Sequence, residues 1–349
     1  MDGFHKSASV MAAGPGHDER RARLRGAVVV TALTIVIGLP RFAQHTPDSP
    51  QYVELARYFR GDTERDRLAA PYAYRVLTPF FAAQLPMRDV SINLALINVL
   101  CTVLAYLTFA RYLARLLPSR TDVNVGMLLL TVSFPTFAYS SRVLSDPAGF
   151  LALVTATILL LDECRWAFSV TLTLGTLARD SVILMVAVFL LHRAMEGISA
   201  PEKRHWLTPT LAILPPIVTF FAVRAYFSDL PDRTGAPSLH QLWRNLESPL
   251  RCASVLLTIG PPTLLLLAGW RRKGLSFAAD LPAPEKRLLL VITALGLVFG
   301  LYSLGAFVVG GRYFWPAYPG LIPLAVMAGI HTTLFTRWLA PAANALFGT

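Results

Sequence analysis

Residues 91–117 read SINLALINVLCTVLAYLTFARYLARLL. This predominantly apolar run exceeds the ~20 residues that an α-helix needs to cross a hydrocarbon core of ~30 Å. Further apolar runs lie at 26–40, 123–140, 147–161, 207–227, 252–270, 287–309 and 313–335. With 166–191, they predict an all-α fold: a polytopic membrane helix bundle of about ten membrane segments, whose helices satisfy their own backbone hydrogen bonds.

The composition excludes an ordinary soluble domain. Of 349 residues, 54% are hydrophobic and only 15% are charged, and the mean hydropathy is +0.51. The net charge of +11 does not indicate nucleic acid, because Lys and Arg form short clusters between apolar runs, as cytoplasmic loops do. The three cysteines form no Cys-x-x-Cys pair, and no nucleotide-binding or zincin motif is present.

The region 166–191 has two interpretations, because Arg179-Asp180 interrupts its apolar sequence. It is either one span with a charged pair at its centre or a hairpin of two short helices. Only the hairpin concentrates Lys and Arg in the loops 192–206 and 271–287 on the cytoplasmic side. We therefore predict the hairpin, with both chain ends in the cytoplasm, a cytoplasmic segment 1–25 and a transmembrane domain 26–340.

This topology places the long polar loop 45–90 outside the cell. Pro50, after Ser49, is typical of the first turn of a helix. The following mixture of aromatic, aliphatic and charged residues predicts an amphipathic helix at the membrane interface. A second interfacial helix is predicted over 71–81.

Asp48 immediately precedes the first of these helices and is the main candidate for chemistry. One interpretation is a helix cap, since Asp is favoured at a helix N-terminus. The other is a carboxylate that stays ionised at the membrane surface, ready to accept a proton from a hydroxyl or to hold a divalent cation.

The other polar residues predicted on the same side each have two interpretations. Asp146 precedes Pro147 and is either a cap or a site residue, while Arg142 in the same turn suits a phosphate. Arg179 and Asp180 either pair with each other or bind substrate, because ionisable residues inside a membrane are usually functional. Arg312 is an interface anchor or a phosphate ligand, and Gly310 and Gly311 before it favour close approach to a ligand.

At these residues the chain resembles the GT-C superfamily of membrane glycosyltransferases. The resemblance is carried by Asp48-Ser49-Pro50-Gln51-Tyr52 after the first span, Leu144-Ser145-Asp146-Pro147 before a later span, and Gly311-Arg312-Tyr313-Phe314-Trp315-Pro316-Ala317-Tyr318-Pro319. It implies a polyprenyl-phosphate sugar donor, a catalytic role for Asp48 as base or metal ligand, and substrate binding by the late segment, including Tyr313.

The resemblance leads to a specific functional prediction. An inverting transfer would move the sugar to a lipid, polysaccharide or protein acceptor, on the external face of a bacterial-type inner membrane. Membrane lipids are expected partners, and no cofactor is required unless a divalent cation binds at Asp48. The alternative is a transporter or flippase of a lipid-linked glycan, which would tend to show internal repeats and polar residues near the midplane.

Overall fold

The computed structural model describes residues 29, 32–33, 35–199, 207–231, 237–273, 281–306, 310–330 and 332–347. Over these ranges the chain consists of helices and short turns, without a β-strand, which confirms the all-α prediction. The predicted segment 1–25 and part of the first span, 26–40, lie outside the described residues. Residues 35–38 at the end of that span are helical.

The α-helices follow one another with few long connections. They are α1 (Ser49–Arg60), α2 (Leu77–Gln84), α3 (Val90–Leu116), α4 (Arg120–Thr131), α5 (Phe134–Tyr139), α6 (Asp146–Leu161), α7 (Arg165–Ala178), α8 (Leu184–Ser199), α9 (Leu207–Tyr226), α10 (Leu239–Leu246), α11 (Pro249–Lys273), α12 (Ala283–Ala306), α13 (Tyr318–Gly329) and α14 (Ala340–Phe347). Within the described residues α3, α11 and α12 are long and apolar enough to cross a membrane. Two shorter apolar stretches are α6 and Leu211–Tyr226 of α9. The total of about ten segments stays a prediction.

The first loop forms helices, but they differ from the predicted pair. In α1, Tyr52, Leu55 and Ala56 are fully buried, so one face of this helix packs against the rest of the protein. The predicted helix 71–81 is wrong in its start, because α2 begins only at Leu77. A helix begun earlier would hold Pro79 in its interior, where proline removes a backbone hydrogen bond; in α2 it falls in the first turn.

Two predicted spans are also interrupted at proline. The run 123–140 divides into α4 and α5, and Pro135 starts the second helix. The run 313–335 begins as a 3-10 helix, Gly311–Ala317, that contains Pro316 and leads into α13. Every residue of α13 is buried, so this late segment lies at the centre of the bundle.

The region 166–191 is a hairpin, as predicted. Helix α7 ends at Ala178, and a 3-10 turn, Asp180–Ile183, leads into α8. The turn lies at the same end of the bundle as Asp48, since Asp180 pairs with Arg75 of the first loop. At the other end, Arg115 bonds to Asp162 just before α7, and Arg287 donates to the carbonyl of Met195 in α8.

We expect the two ends of the hairpin to share one side of the membrane. Native Cys164 is exposed just before α7, and Gly197 lies near the end of α8. In intact cells, an impermeant thiol reagent should label Asp62→Cys in the first loop but neither Cys164 nor Gly197→Cys, each tested as the single cysteine. Labelling of only one of the last two would contradict the hairpin.

Candidate active site

A cavity of about 380 Å³ opens at the end of the bundle that carries Asp48. Its walls come from the first loop, the hairpin turn, the end of α9, the end of α12 and the late 3-10 helix. The lining residues are Asp48, Pro71, Tyr72, Arg75, Arg179, Asp180, Ser181, Ile183, Leu184, Phe220, Arg224, Phe299, Tyr302 and Tyr313. Charged and apolar side chains therefore share one cavity at one end of the bundle.

Asp48 faces this cavity, and its side chain does not cap a helix. It occupies the position before α1 but makes no side-chain capping hydrogen bond. Instead Tyr72 donates its hydroxyl to Asp48 Oδ1 at 3.1 Å, and Arg312 donates to Asp48 Oδ2. The capping interpretation of this carboxylate is therefore not supported by its contacts.

These neighbours keep Asp48 ionised. Burial by itself would raise the pKa of Asp48, because a charged carboxylate loses solvation. The guanidinium groups of Arg312 and Arg75, with the hydrogen bond from Tyr72, outweigh burial and hold the pKa below its ordinary value. The carboxylate is thus an acceptor of hydrogen bonds and protons at neutral pH.

Asp146 lies behind the cavity and is fully buried. One of its oxygens pairs with Arg179, and the other is 3.5 Å from Arg312 Nη1. Gly149, one turn further along α6, makes room for Arg179, since a Cβ there would be 2.8 Å from the arginine's Cβ and Cδ. Asp146 therefore fixes two arginines and does not itself line the cavity.

Arg312 bridges the carboxylates of Asp48 and Asp146 and is only 8% exposed. It is absent from the residues that line the cavity. Of the two glycines before it, Gly311 packs closely against α11. Gly311 donates its backbone N–H to Ser254 of α11 at 3.1 Å, and a Cβ at this position would clash with Thr258. Glycine at this position permits close packing of the backbone on α11.

Asp180 forms a second charged group on the cavity wall. One interpretation of the sequence paired Asp180 with its neighbour Arg179. In the structure Arg179 pairs with Asp146 instead. The Oδ2 atom of Asp180 lies 3.8 Å from Arg75 Nη2 and 3.6 Å from Arg224 Nη2. Arg75 also donates to the hydroxyl of Tyr52, and the Arg224 guanidinium lies 3.4 Å from the Phe220 ring.

The structure brings together most of the residues predicted for the site. Asp48, Arg179, Asp180 and Tyr313 line the cavity, while Asp146 and Arg312 support it from behind. Arg142 does not line it; its backbone carbonyl accepts a 2.6 Å hydrogen bond from Asn98.

The cavity wall also contains four residues that were not predicted from the sequence as site residues: Tyr72, Arg75, Ser181 and Arg224. Arg224 carried a usable signal, because it is the only charged residue in the apolar run 207–227. The sequence indicated Arg75 less clearly, since it lies among aromatic residues in a segment predicted as an interfacial helix, where a charged residue is ordinary.

The donor set does not suit a divalent cation. Asp48 is already held by a guanidinium group, and the other carboxylates of the site also face arginines. Across the described part of the chain, no group of three or more His, Cys, Asp and Glu side chains could hold a metal ion. We derive no chemical step through a metal.

Comparison with known proteins identifies the type of fold. No family model matches the chain, and no curated protein matches it. The structure is similar to a crystal structure of ArnT from Cupriavidus metallidurans bound to undecaprenyl phosphate, with a TM-score of 0.52 and 13% sequence identity. The match covers 88% of this chain and 60% of ArnT, so the chain spans about three fifths of that protein's length. The chain therefore has the same type of membrane fold as ArnT, which confirms the resemblance at the level of fold.

Proposed function

We propose that this protein is a membrane glycosyltransferase that takes a sugar from a polyprenyl-phosphate donor. The observation that carries the proposal is the cavity, where an ionised carboxylate and several arginines lie beside an apolar wall. Such a cavity suits a ligand with a sugar, a phosphate and a long apolar chain. The similar fold of ArnT, whose structure holds undecaprenyl phosphate, supports the same donor class.

The apolar wall suits the lipid chain of the donor. Phe220 of α9 and Phe299 and Tyr302 of α12 line the cavity. The same helices expose apolar side chains on their outer surfaces, among them Phe221 at 63% and Leu301 at 61%. In a membrane those surfaces face lipid, so a polyprenyl chain can leave the cavity between α9 and α12 without crossing water.

The proposed reaction is an inverting transfer with Asp48 as general base. Asp48 accepts the proton of the acceptor hydroxyl, and the hydroxyl oxygen forms a bond to the anomeric carbon. The bond from that carbon to the phosphate oxygen breaks, and polyprenyl phosphate leaves with the electron pair. Arginines on the cavity wall stabilise the negative charge on the departing phosphate.

The acceptor is a lipid, polysaccharide or protein hydroxyl. The charge distribution of the loops supports a bacterial-type inner membrane with the site outside, a cytoplasmic segment 1–25 and a transmembrane domain 26–340. A flippase is the weaker alternative, since the charged cavity lies at one end of the bundle instead of near its middle.

Donor binding tests this proposal before the sugar is known. The purified protein in phosphatidylcholine nanodiscs should bind undecaprenyl phosphate at least about tenfold more tightly than undecaprenol, because charge-assisted hydrogen bonds to the phosphate are lost in the alcohol. Native mass spectrometry or a competition assay with a labelled lipid can measure the ratio. Equal affinity for both lipids would count against a polyprenyl-phosphate donor.

A further inference from the structure

The arginines at the site fall into two groups that differ in how fully they are engaged. Arg179 and Arg312 hold Asp146, which is fully buried, and Arg312 also holds Asp48. Moving either arginine towards a ligand would weaken the pairing of a buried carboxylate, which is strongly unfavourable. This group is therefore committed to the protein's own carboxylates.

The second group, Arg75 and Arg224, carries more positive charge than the carboxylate it pairs with can neutralise. Arg75 and Arg224 share one carboxylate, Asp180, and both approach the same oxygen at distances beyond a normal hydrogen bond. Two guanidinium groups thus face one carboxylate on the cavity wall. The side chain of Arg75 is only 11% exposed, so water screens its charge weakly.

Ser181 adds a hydrogen-bonding group that is not in use. This residue is 6% exposed and lines the cavity. Its hydroxyl is buried and has no hydrogen-bond partner among the described residues. Buried hydroxyl groups without partners are rare in folded proteins and mark places where a ligand can supply one.

The direction of the helices at this wall also favours an anion. The 3-10 turn Asp180–Ile183 runs directly into α8, and Ser181, Ile183 and Leu184 all line the cavity. The cavity therefore meets the N-terminal end of a 16-residue helix, where backbone N–H groups and the helix dipole favour negative charge.

We propose that Arg75, Ser181 and Arg224 form the subsite for the donor phosphate, and that Arg312 does not contact it. The assignment rests on the proposed glycosyltransferase function and names the part of the cavity that holds the leaving group. Asp180 keeps the two guanidinium groups in place before the phosphate docks between them. Phe220, one turn before Arg224, continues the wall towards the lipid, where the polyprenyl chain leaves.

Binding of undecaprenyl phosphate in phosphatidylcholine nanodiscs tests the subsite. Arg75→Gln and Arg224→Gln should each weaken binding about tenfold or more, because each removes a charge-assisted contact to the phosphate. Ser181→Ala, which barely changes volume, should weaken it about threefold to tenfold. Arg57→Gln is the matched control, since Arg57 is half exposed, pairs with Glu54 within α1 and does not line the cavity. Undecaprenol should bind all variants alike.

The outcomes separate this inference from the proposed function. If wild-type protein prefers undecaprenyl phosphate over undecaprenol but Ser181→Ala and both glutamine variants bind it like Arg57→Gln, the subsite is wrong and the donor class stands. If wild-type protein shows no preference, the proposed function itself fails. Adding phosphatidylglycerol should not displace the bound undecaprenyl phosphate; displacement would assign the wall to ordinary anionic headgroups.

Discussion

Asp48→Asn is expected to lower the rate of sugar transfer by about 10² to 10⁴-fold, the usual contribution of a general base. The amide has nearly the same size and still accepts a hydrogen bond from Arg312 or Tyr72, but it cannot take a proton. Asp48 makes no side-chain capping hydrogen bond to α1, so the substitution should not destabilise the start of that helix. The measurement is initial transfer velocity at equal amounts of folded protein.

Asp62→Asn provides the matched control, since Asp62 lies in the same loop and its side chain is 52% exposed. It should transfer sugar at the wild-type rate. Since the pKa of Asp48 is lowered by its arginines, the wild-type rate should not fall through loss of this carboxylate until pH drops below the ordinary carboxyl range near ~4. If the transfer rate already falls as pH drops below neutral, the proton is accepted by another group.

Arg312→Met is expected to destabilise the fold by about 3–5 kcal/mol, the usual cost of leaving a buried charge without its partner. The change removes the cation that bridges Asp48 and the fully buried Asp146. Lysine should not restore stability, because an ammonium group cannot reproduce the planar fork that contacts two carboxylates. Thermal unfolding in detergent measures the effect.

Arg57→Met is the comparison, because a half-exposed surface pair contributes only about 0–1 kcal/mol. The double variant Arg312→Met with Asp48→Asn should recover part of the lost stability, since it neutralises the carboxylate that loses its charged donor, whereas Asp146 keeps its pairing with Arg179. It should not recover the transfer rate, which needs the Asp48 carboxylate. Normal stability of Arg312→Met would show that the bridge does not contribute to the fold.

The ion pair between Asp48 and Arg312 also links stability to pH. A carboxylate whose pKa is lower in the folded protein stabilises it above the ordinary carboxyl pKa. That contribution is lost as pH falls through the lower folded value. The wild-type protein should therefore lose part of its stability below about pH 4, and Arg312→Met should lose less over the same window.

The sequence predicts the elements of this fold better than their ends. Run length and polarity are local properties, so the span 91–117 and the hairpin at Arg179-Asp180 agree with the structure. Interruptions were missed at Pro135 and Pro316, where the apolar run looks continuous. Helix α11 continues through Pro261 and Pro262, so a proline in an apolar run does not by itself predict a break. The packing of α1 was not predicted, because its buried face meets residues distant in sequence, such as Val143 and Phe227.

Pairing at the site shows a second limit. Arg179 and Asp180 are adjacent in sequence, yet the structure pairs Arg179 with Asp146 and Asp180 with Arg75 and Arg224. Such partners depend on how helices pack, which no local pattern specifies. The sequence could select Asp48 as a candidate because its position after the first span is itself a local feature.

The most direct measurement is consumption of a polyprenyl-phosphate sugar. Nanodiscs with wild-type protein, a panel of undecaprenyl-phosphate monosaccharides and a cell-envelope extract as acceptor would be assayed for release of undecaprenyl phosphate. We expect at least one donor to be consumed, with equal amounts of lipid phosphate released and sugar transferred, and at least about 100-fold faster than with Asp48→Asn. Equal rates for the two proteins, or movement of an intact donor across the bilayer without transfer, would contradict a glycosyltransferase that uses Asp48 as its base.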